Sequence, residues 1–139
     1  MVTTIISIQT TINQPIAIVW ECWNKPEHIV NWNFASDDWH CPTAENNFFS
    51  DGKFIYQMAA NDCSFAFDFW GIYDEIIEYK SIYSTLGDGR KMWVEFTEDG
   101  NVTRIEERFE AETENTIELQ RFGWQAILDN FKKYTESKK

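Results

Sequence analysis

Polar and apolar residues alternate from the start of the chain. In "TTIISIQTTI" (3–12), Ile6, Ile8 and Ile12 share one parity, the two-residue period of a half-buried strand. "NQP" then closes the strand: Asn13 can accept from backbone amides, and Pro15 fits a first helical turn. The period lengthens over "PIAIVWECW" (15–23), where Ile16, Val19, Trp20 and Trp23 recur at spacings of three and four, as on one face of a helix. "NKPEHIVNW" (24–32) repeats the signal, with Asn24 as a cap candidate, Pro26 at the start, and Ile29, Val30 and Trp32 on the apolar side. "ASDDWHCP" (35–42) has no period and reads as a loop.

From 43 to 111 the chain reads as a meander. Turn signals "SDG" (50–52), "AND" (60–62), "GDG" (87–89) and "EDG" (98–100) separate strand candidates at 43–49, 53–59, 64–79 (bent near Gly71), 81–86, 91–97 and 102–110. That makes six antiparallel strands, seven with the first. "ENTIELQRFGWQAILDNFKKYTE" (114–136) is the one long helix. Asn115 and Glu118 resemble a capping box. The apolar stripe runs through Ile117, Gln120/Arg121, Trp124, Ile127/Leu128, Phe131 and Tyr134. Gly123 costs about 1 kcal/mol of helix propensity against Ala and predicts a close approach of helix to sheet.

An antiparallel sheet of this size curls under its own twist, and a helix with one apolar stripe closes its concave face. The expected fold is therefore α+β: a curved sheet of six to seven strands around a long C-terminal helix, two short helices after the first strand, and one domain over 1–139. A strongly bent sheet and a single helix leave a widening gap, so a hollow is expected between them.

Period-two counting assigns the inner wall. Phe54, Tyr56 and Met58 share one face. So do Phe65, Phe67 and Phe69, then Met92, Val94 and Phe96, and finally Thr103, Ile105, Glu107 and Phe109. Asp68 and Trp70, Trp93, and Arg104 and Arg108 fall on the opposite faces. Composition sharpens this picture: 7 Trp, 11 Phe and 5 Tyr make 17% of the chain aromatic, which calls for a large core or a cavity to line. Hydrophobic walls with Met for adaptability and sparse polar atoms at Tyr56, Thr103 and Glu107 suit a small apolar guest. A solid aromatic core is the alternative. Glu107, if buried, needs a partner or a raised pKa. A neighbouring Arg or a bulge would satisfy it, and an orienting or general-base role is the functional reading.

Charge excludes some partners. A net charge of −11 repels phosphate backbones and anionic lipid, and Lys132, Lys133, Lys138 and Lys139 form only a dilute basic tail, so neither nucleic acid nor membrane is expected. No apolar run approaches the ~20 residues of a membrane span. "MVTTIISIQTTI" does not read as a signal peptide. Cys22, Cys41 and Cys63 are odd in number and lack C-x-x-C spacing, which points to a reduced, cytoplasmic protein without a disulfide framework.

The octet at 35–42 concentrates candidate chemistry in Asp37, Asp38, His40 and Cys41, which His28 could join. No metal-ligand spacing supports it, and no metal or cofactor is expected. The structural reading has Trp39 anchoring the loop in the core while the aspartates face water or cap amides. Nucleophile-elbow and phosphate-loop motifs are absent, and "LGDGRK" (86–91) is a hairpin.

Four stretches together carry a family resemblance: "VWECWNKPEHIVNWNFASDDWHCP" (19–42), "AENNFFSDGKFIYQM" (44–58), "DFWGIYDEI" (68–76) and "RFGWQAILDNFKKY" (121–134). The chain resembles stand-alone domains related to the C-terminal domain of the activator of the ninety-kilodalton heat-shock protein ATPase, within the birch-pollen-allergen/START-like (polyketide cyclase) superfamily. The resemblance implies a helix-grip fold with a cavity between sheet and long helix. It also implies a range of roles, from lipid carriers to cyclases, hydrolases and chaperone activators. The chain departs from the family pattern in two places. Ser50 and Asp51 stand where Val–Gly is common, and Trp70 stands where a small residue is expected. With no room for the activator's separate N-terminal domain, a chaperone partner is not expected.

The expected function is binding of a small apolar, aromatic or lipid-like molecule, without turnover. Its walls would be Phe54, Tyr56, Met58, Phe67, Phe69, Met92, Phe96, Phe109, Trp124 and Leu128. Trp32, Phe34, Asp38 and His40 would stand near the entrance, and Glu107 would be a polar anchor. Two alternatives stand beside it. One is a cyclase- or hydrolase-like enzyme using His40 or Glu107 as proton carrier. The other is a protein-interaction or chaperone-associated module, possible homodimer included, using an exposed patch at Trp70 and Trp93.

Overall fold

Alternation in the first strand survives in three dimensions. Ile6, Ile8 and Ile12 of β1 (Ile5–Ile12) are buried, and Ser7, Gln9 and Thr11 face water. The computed structural model describes residues 3–138; Met1 and Val2 of the N-terminal segment and Lys139 of the basic tail lie outside the described residues. After β1 come α1 (Ile16–Asn24) and α2 (Pro26–Ile29). The meander follows: β2 (Trp39–His40), β3 (Ala44–Asn46), β4 (Lys53–Ala60), β5 (Ala66–Ile77), β6 (Ser81–Leu86), β7 (Lys91–Asp99) and β8 (Val102–Glu110). It ends in α3 (Ile117–Glu136).

The eight strands form one sheet in the order β1-β8-β7-β6-β5-β4-β2, with β3 also on β4. Neighbours along the meander pair antiparallel, and β1 joins β8 with Ile8 opposite Glu107. α3 crosses the concave face and runs closest to β1 and α1. Leu128, Phe131 and Thr135 are its deepest residues. The architecture is the expected α+β helix-grip, with one strand more than counted. That strand is two residues of the octet, Trp39 and His40, which pair with Ala60 and Ala59.

α1 and α2 plug one end of the bent sheet with indoles. Trp20 and Trp23 meet Phe96 at 5.2 and 5.7 Å between centroids. Trp23 and Trp32 both set their edges against Phe131 at 4.8 Å. The Trp32 Nε1–H donates to the Cys22 carbonyl at 2.9 Å, so the buried indole keeps its hydrogen bond.

Several local expectations are corrected. Asn24 does not cap the second helix: it ends α1, its Nδ2 donates to the Trp20 carbonyl, and Lys25 takes the cap position. The cap of α3 is Thr116, whose Oγ1 accepts from the Leu119 amide at 3.1 Å, one residue after the expected Asn115. β3 keeps only three of the seven residues expected at 43–49, because the chain turns away to reach Gly52. The irregularity of β5 is a bulge between Tyr73 and Glu75, two residues past the bend expected near Gly71. An added Cβ at Gly123 would meet nothing within 4 Å, so no close approach to the sheet explains that glycine. Asp51, where the family resemblance expects Gly, adopts a left-handed φ of 70°. Arg121 is exposed, off the buried stripe.

Candidate functional site

The space between sheet and helix is not filled. Because α3 leans toward β1, the face of β4, β5 and β6 is left partly uncovered, and a hollow of about 300 Å³ remains. This is about twice the ~150 Å³ void that admits benzene in an engineered core. It lies at the lower end of the range of small-molecule pockets.

Each strand contributes its inward parity. β4 supplies Phe54, Tyr56 and Met58, β5 supplies Phe67, Phe69 and Tyr73, β7 supplies Met92 and Val94, and β8 supplies Glu107. β6 adds Ile82 and Ser84, and α3 adds Trp124, Ile127 and Leu128. Trp23 and Trp32 close the end under the short helices, with Asn33 beside them and Arg90 reaching in from the β6–β7 turn. Gly71 faces inward so that the Phe54 ring can lie on it: an added Cβ would sit 2.7 Å from Phe54 Cζ and 2.8 Å from the Thr85 carbonyl oxygen. Phe69 meets Trp124 edge-on at 5.9 Å, spanning from sheet to helix.

Polar groups in the hollow are few. The Tyr73 hydroxyl donates to Asn46 Oδ1 at 2.7 Å, and burial pushes its pKa up to about 12. Tyr56 is pushed up as well, again by burial first. Asn33 Nδ2 points at Met58 Sδ at 3.3 Å. Arg90 is held from two sides, its Nε donating to Asp88 at 2.7 Å and its Nη1 to the Glu110 carbonyl at 3.1 Å.

Glu107 stands apart. It is 6% exposed and lies on the second strand of the sheet, between Ile8 of the edge strand β1 and Val94 of β7. Burial alone pushes its carboxyl up to about 8. The neighbouring arginines do not satisfy it, because they point to the other face: Arg104 donates to Gln9 Oε1, and Arg108 pairs with Glu95 at 2.8 Å. No bulge exposes it either, since β7 and β8 pair in continuous register.

Of the residues expected to form the site, Trp32, Phe54, Tyr56, Met58, Phe67, Phe69, Met92, Glu107, Trp124 and Leu128 border the hollow. Phe96 and Phe109 lie behind the wall: Phe96 is enclosed by Trp20 and Trp23, and Phe109 lies under the Trp124 indole. Phe65, on the expected inner parity, precedes β5 and is 58% exposed. Thr103 is fully buried, but its hydroxyl donates to the Gln14 carbonyl at 2.9 Å and does not reach the hollow.

The entrance residues are also corrected. Phe34 borders a separate surface groove with Asp37, Asp129 and Lys133. His40 Nδ1 contacts Asn61 Oδ1 at 2.7 Å, while the Asn61 amides donate to the carbonyls of Asp37 and Asp38. Neither Asp38 nor His40 borders the hollow. Trp39 is only half-buried and packs edge-on to Phe65 and Phe67, so it does not anchor the loop in the core. Among the described residues no group of His, Cys, Asp and Glu converges as metal ligands. His28 is elsewhere, with Nδ1 2.6 Å from the Tyr134 hydroxyl.

Sequence reading missed Trp23, Asn33, Tyr73, Ile82, Ser84, Arg90 and Ile127. Tyr73 precedes the bulge and continues the parity of Phe67 and Phe69, which the sequence reading does not carry past residue 70; Ile82 lies on 81–86, where no inner face is assigned.

Outward aromatics are partly covered. Lys53 Nζ lies 4.5 Å from the Trp70 ring, which also rests against Gly87, and the Arg108 guanidinium lies 5.6 Å from Trp93. The parity of β5 keeps Trp70 out of the hollow. No helix among the described residues is long and apolar enough to cross a membrane.

Known proteins with this form exist. The solution structure of the AHSA1-like protein from Aeromonas hydrophila superposes with a TM-score of 0.90 at 40% identity, covering 96% of this chain and 93% of that one. Chr148 from Cytophaga hutchinsonii is 46% identical, with a TM-score of 0.82 over 95% of this chain and 92% of its own. CV1439 from Chromobacterium violaceum, at 16% identity and a TM-score of 0.84 over 96% and 98%, shares the fold. No curated protein matches the chain. Residues 13–136 match the family described as Activator of Hsp90 ATPase homolog 1-like protein, and the chain belongs to that family.

Proposed function

We propose that the protein binds a small apolar or aromatic molecule in the hollow under α3, without turnover. The observation that carries this reading is the hollow itself: about 300 Å³ walled by rings and methionines, with few polar atoms. An apolar guest entering such a space leaves water at roughly 25 cal/mol per Å² of buried surface. The walls are already held by strand pairing and by stacked aromatics, so little ordering is needed on binding.

Binding should raise the melting temperature. A guest at one hundred times its Kd stabilises by about 2.7 kcal/mol, a shift of several degrees in a domain of this size. The test is a panel of aromatics and lipid-like molecules, read by thermal shift and by quenching of Trp23, Trp32 and Trp124. Native mass spectrometry of the purified protein gives a second readout. A broad panel that moves neither signal overturns the reading.

An enzymatic reading rests on Glu107 alone, since His40 faces away from the hollow. A carboxyl titrating near neutrality in a cleft is a candidate general acid or base. Turnover by a candidate substrate that is lost in Glu107→Gln would favour it over simple binding.

A further inference from the structure

The hollow holds one carboxyl that the fold leaves without a partner. Glu107 lies on the inner face of β8, is 6% exposed, and receives no hydrogen bond from any described residue. Buried carboxyls are normally met by donors or cations, because an unmet one loses its hydration for nothing in return. The elements packed around it offer no such group. β1 turns Ile8 toward the interior, β7 turns Val94, and α3 turns Trp124 and Leu128. The ionisable groups that do face the hollow are Tyr56, Tyr73 and Arg90, of which Tyr73 donates to Asn46 and Arg90 is engaged by Asp88 and the Glu110 carbonyl.

We infer that the guest is a cationic amine, a small aromatic or apolar ammonium compound whose charge is met by the Glu107 carboxylate. This rests on the reading that the hollow takes a guest, and adds its chemical class. Three features favour a cation over a carboxylate or a neutral guest. The carboxyl is the missing half of an ion pair, and charge-assisted hydrogen bonds are stronger than neutral ones. The walls are ring faces, which carry negative quadrupole charge and attract an ammonium. The net charge of −11 concentrates cations at the surface and repels organic anions.

In the empty protein the Glu107 carboxyl, with a pKa of about 8, is mostly protonated at pH 7. An arriving ammonium lowers that pKa, the carboxyl proton passes to the buffer, and the ion pair forms. The cost of ionising the empty site is about tenfold in affinity at pH 7, below the couplings found for close charge pairs between proteins, which exceed about tenfold. A neutral hydrogen-bonding guest would instead leave the proton in place.

The test uses three molecules of one shape: 1-naphthylmethylamine, 1-naphthylmethanol and 1-naphthoic acid. Calorimetry on the whole protein, at pH 7 in buffers of different ionisation enthalpy, gives affinity and proton release together. The expected result is an amine that binds about tenfold or more tighter than the alcohol, with close to one proton released. Glu107→Gln should bring the amine to the alcohol's level and abolish the proton release. An alcohol or acid that binds as tightly as the amine, or an amine bound with no proton released by the wild-type protein, overturns the amine inference while leaving the cavity reading standing. Binding by none of the three, with none from the broader panel, overturns both.

Discussion

The Trp124 indole of α3 lies flat on the Phe109 ring of β8, with centroids 3.7 Å apart and planes 12° from parallel. This stack fixes the helix to the sheet on one side of the hollow. Phe109 is wholly buried, while Trp124 keeps one side toward the open space. Phe109→Ala should therefore cost about 3–5 kcal/mol in chemical denaturation, and Trp124→Ala less. A double-mutant cycle should give a coupling of about 0.5–1.5 kcal/mol. Strictly additive effects would mean that the two rings are neighbours without energetic consequence.

Glu107 should make stability fall as pH rises. Its folded pKa, about 8, exceeds the ~4.3 of an unfolded glutamate. Between those values the folded state holds a proton that the unfolded state has lost, so stability declines by up to about 1.4 kcal/mol per pH unit and levels off above pH 8. Below about pH 4 both states are protonated and the penalty vanishes. Glu107→Gln should thus be more stable than wild type at pH 8, with the gap closing toward pH 4. Denaturant midpoints across that range decide it; a constant gap would place the cause elsewhere.

Two glycines should respond with opposite signs. Gly71→Ala sets a methyl against Phe54 and the fixed Thr85 carbonyl, and is expected to destabilise by about 1–3 kcal/mol. Gly123→Ala adds a methyl to open space in a helix interior, and should stabilise by about 0.5–1 kcal/mol through helix propensity. Melting temperatures of the two variants give the comparison directly.

Asn61 ties the octet at 35–42 to the β4–β5 turn. Its side chain contacts His40 and donates to the Asp37 carbonyl, and its backbone amide donates to Asp38. The contacts are exposed, so Asn61→Ala should cost only about 0.5–1 kcal/mol globally. Amide exchange at Trp39 and His40 should speed up while that of β7 and β8 stays unchanged. Equal acceleration in all of these strands would refute a local latch.

Local pattern alone determined the order of every element except β2, the antiparallel meander, the closing helix and most of the wall. These follow from periods of two and 3.6 residues, which depend only on which neighbours share a face. Phe54, Tyr56 and Met58 were legible for that reason, as were Trp124 and Leu128. The capping of α3 by Thr116 was not, because the adjacent Asn115 is an equally good cap; nor was the bulge after Tyr73, which is set by how β5 pairs with β6. Only tertiary packing decided that α3 leans on β1 and leaves β4–β6 partly bare, that Phe96 and Phe109 stand behind the wall, and that His40 serves a turn. It also decided the state of Glu107. Sequence placed that carboxylate on the inner face and Arg104 and Arg108 on the outer one, but only the continuous register of β7 with β8, and the apolar side chains packed around Glu107, decided that no bulge and no other group relieves it.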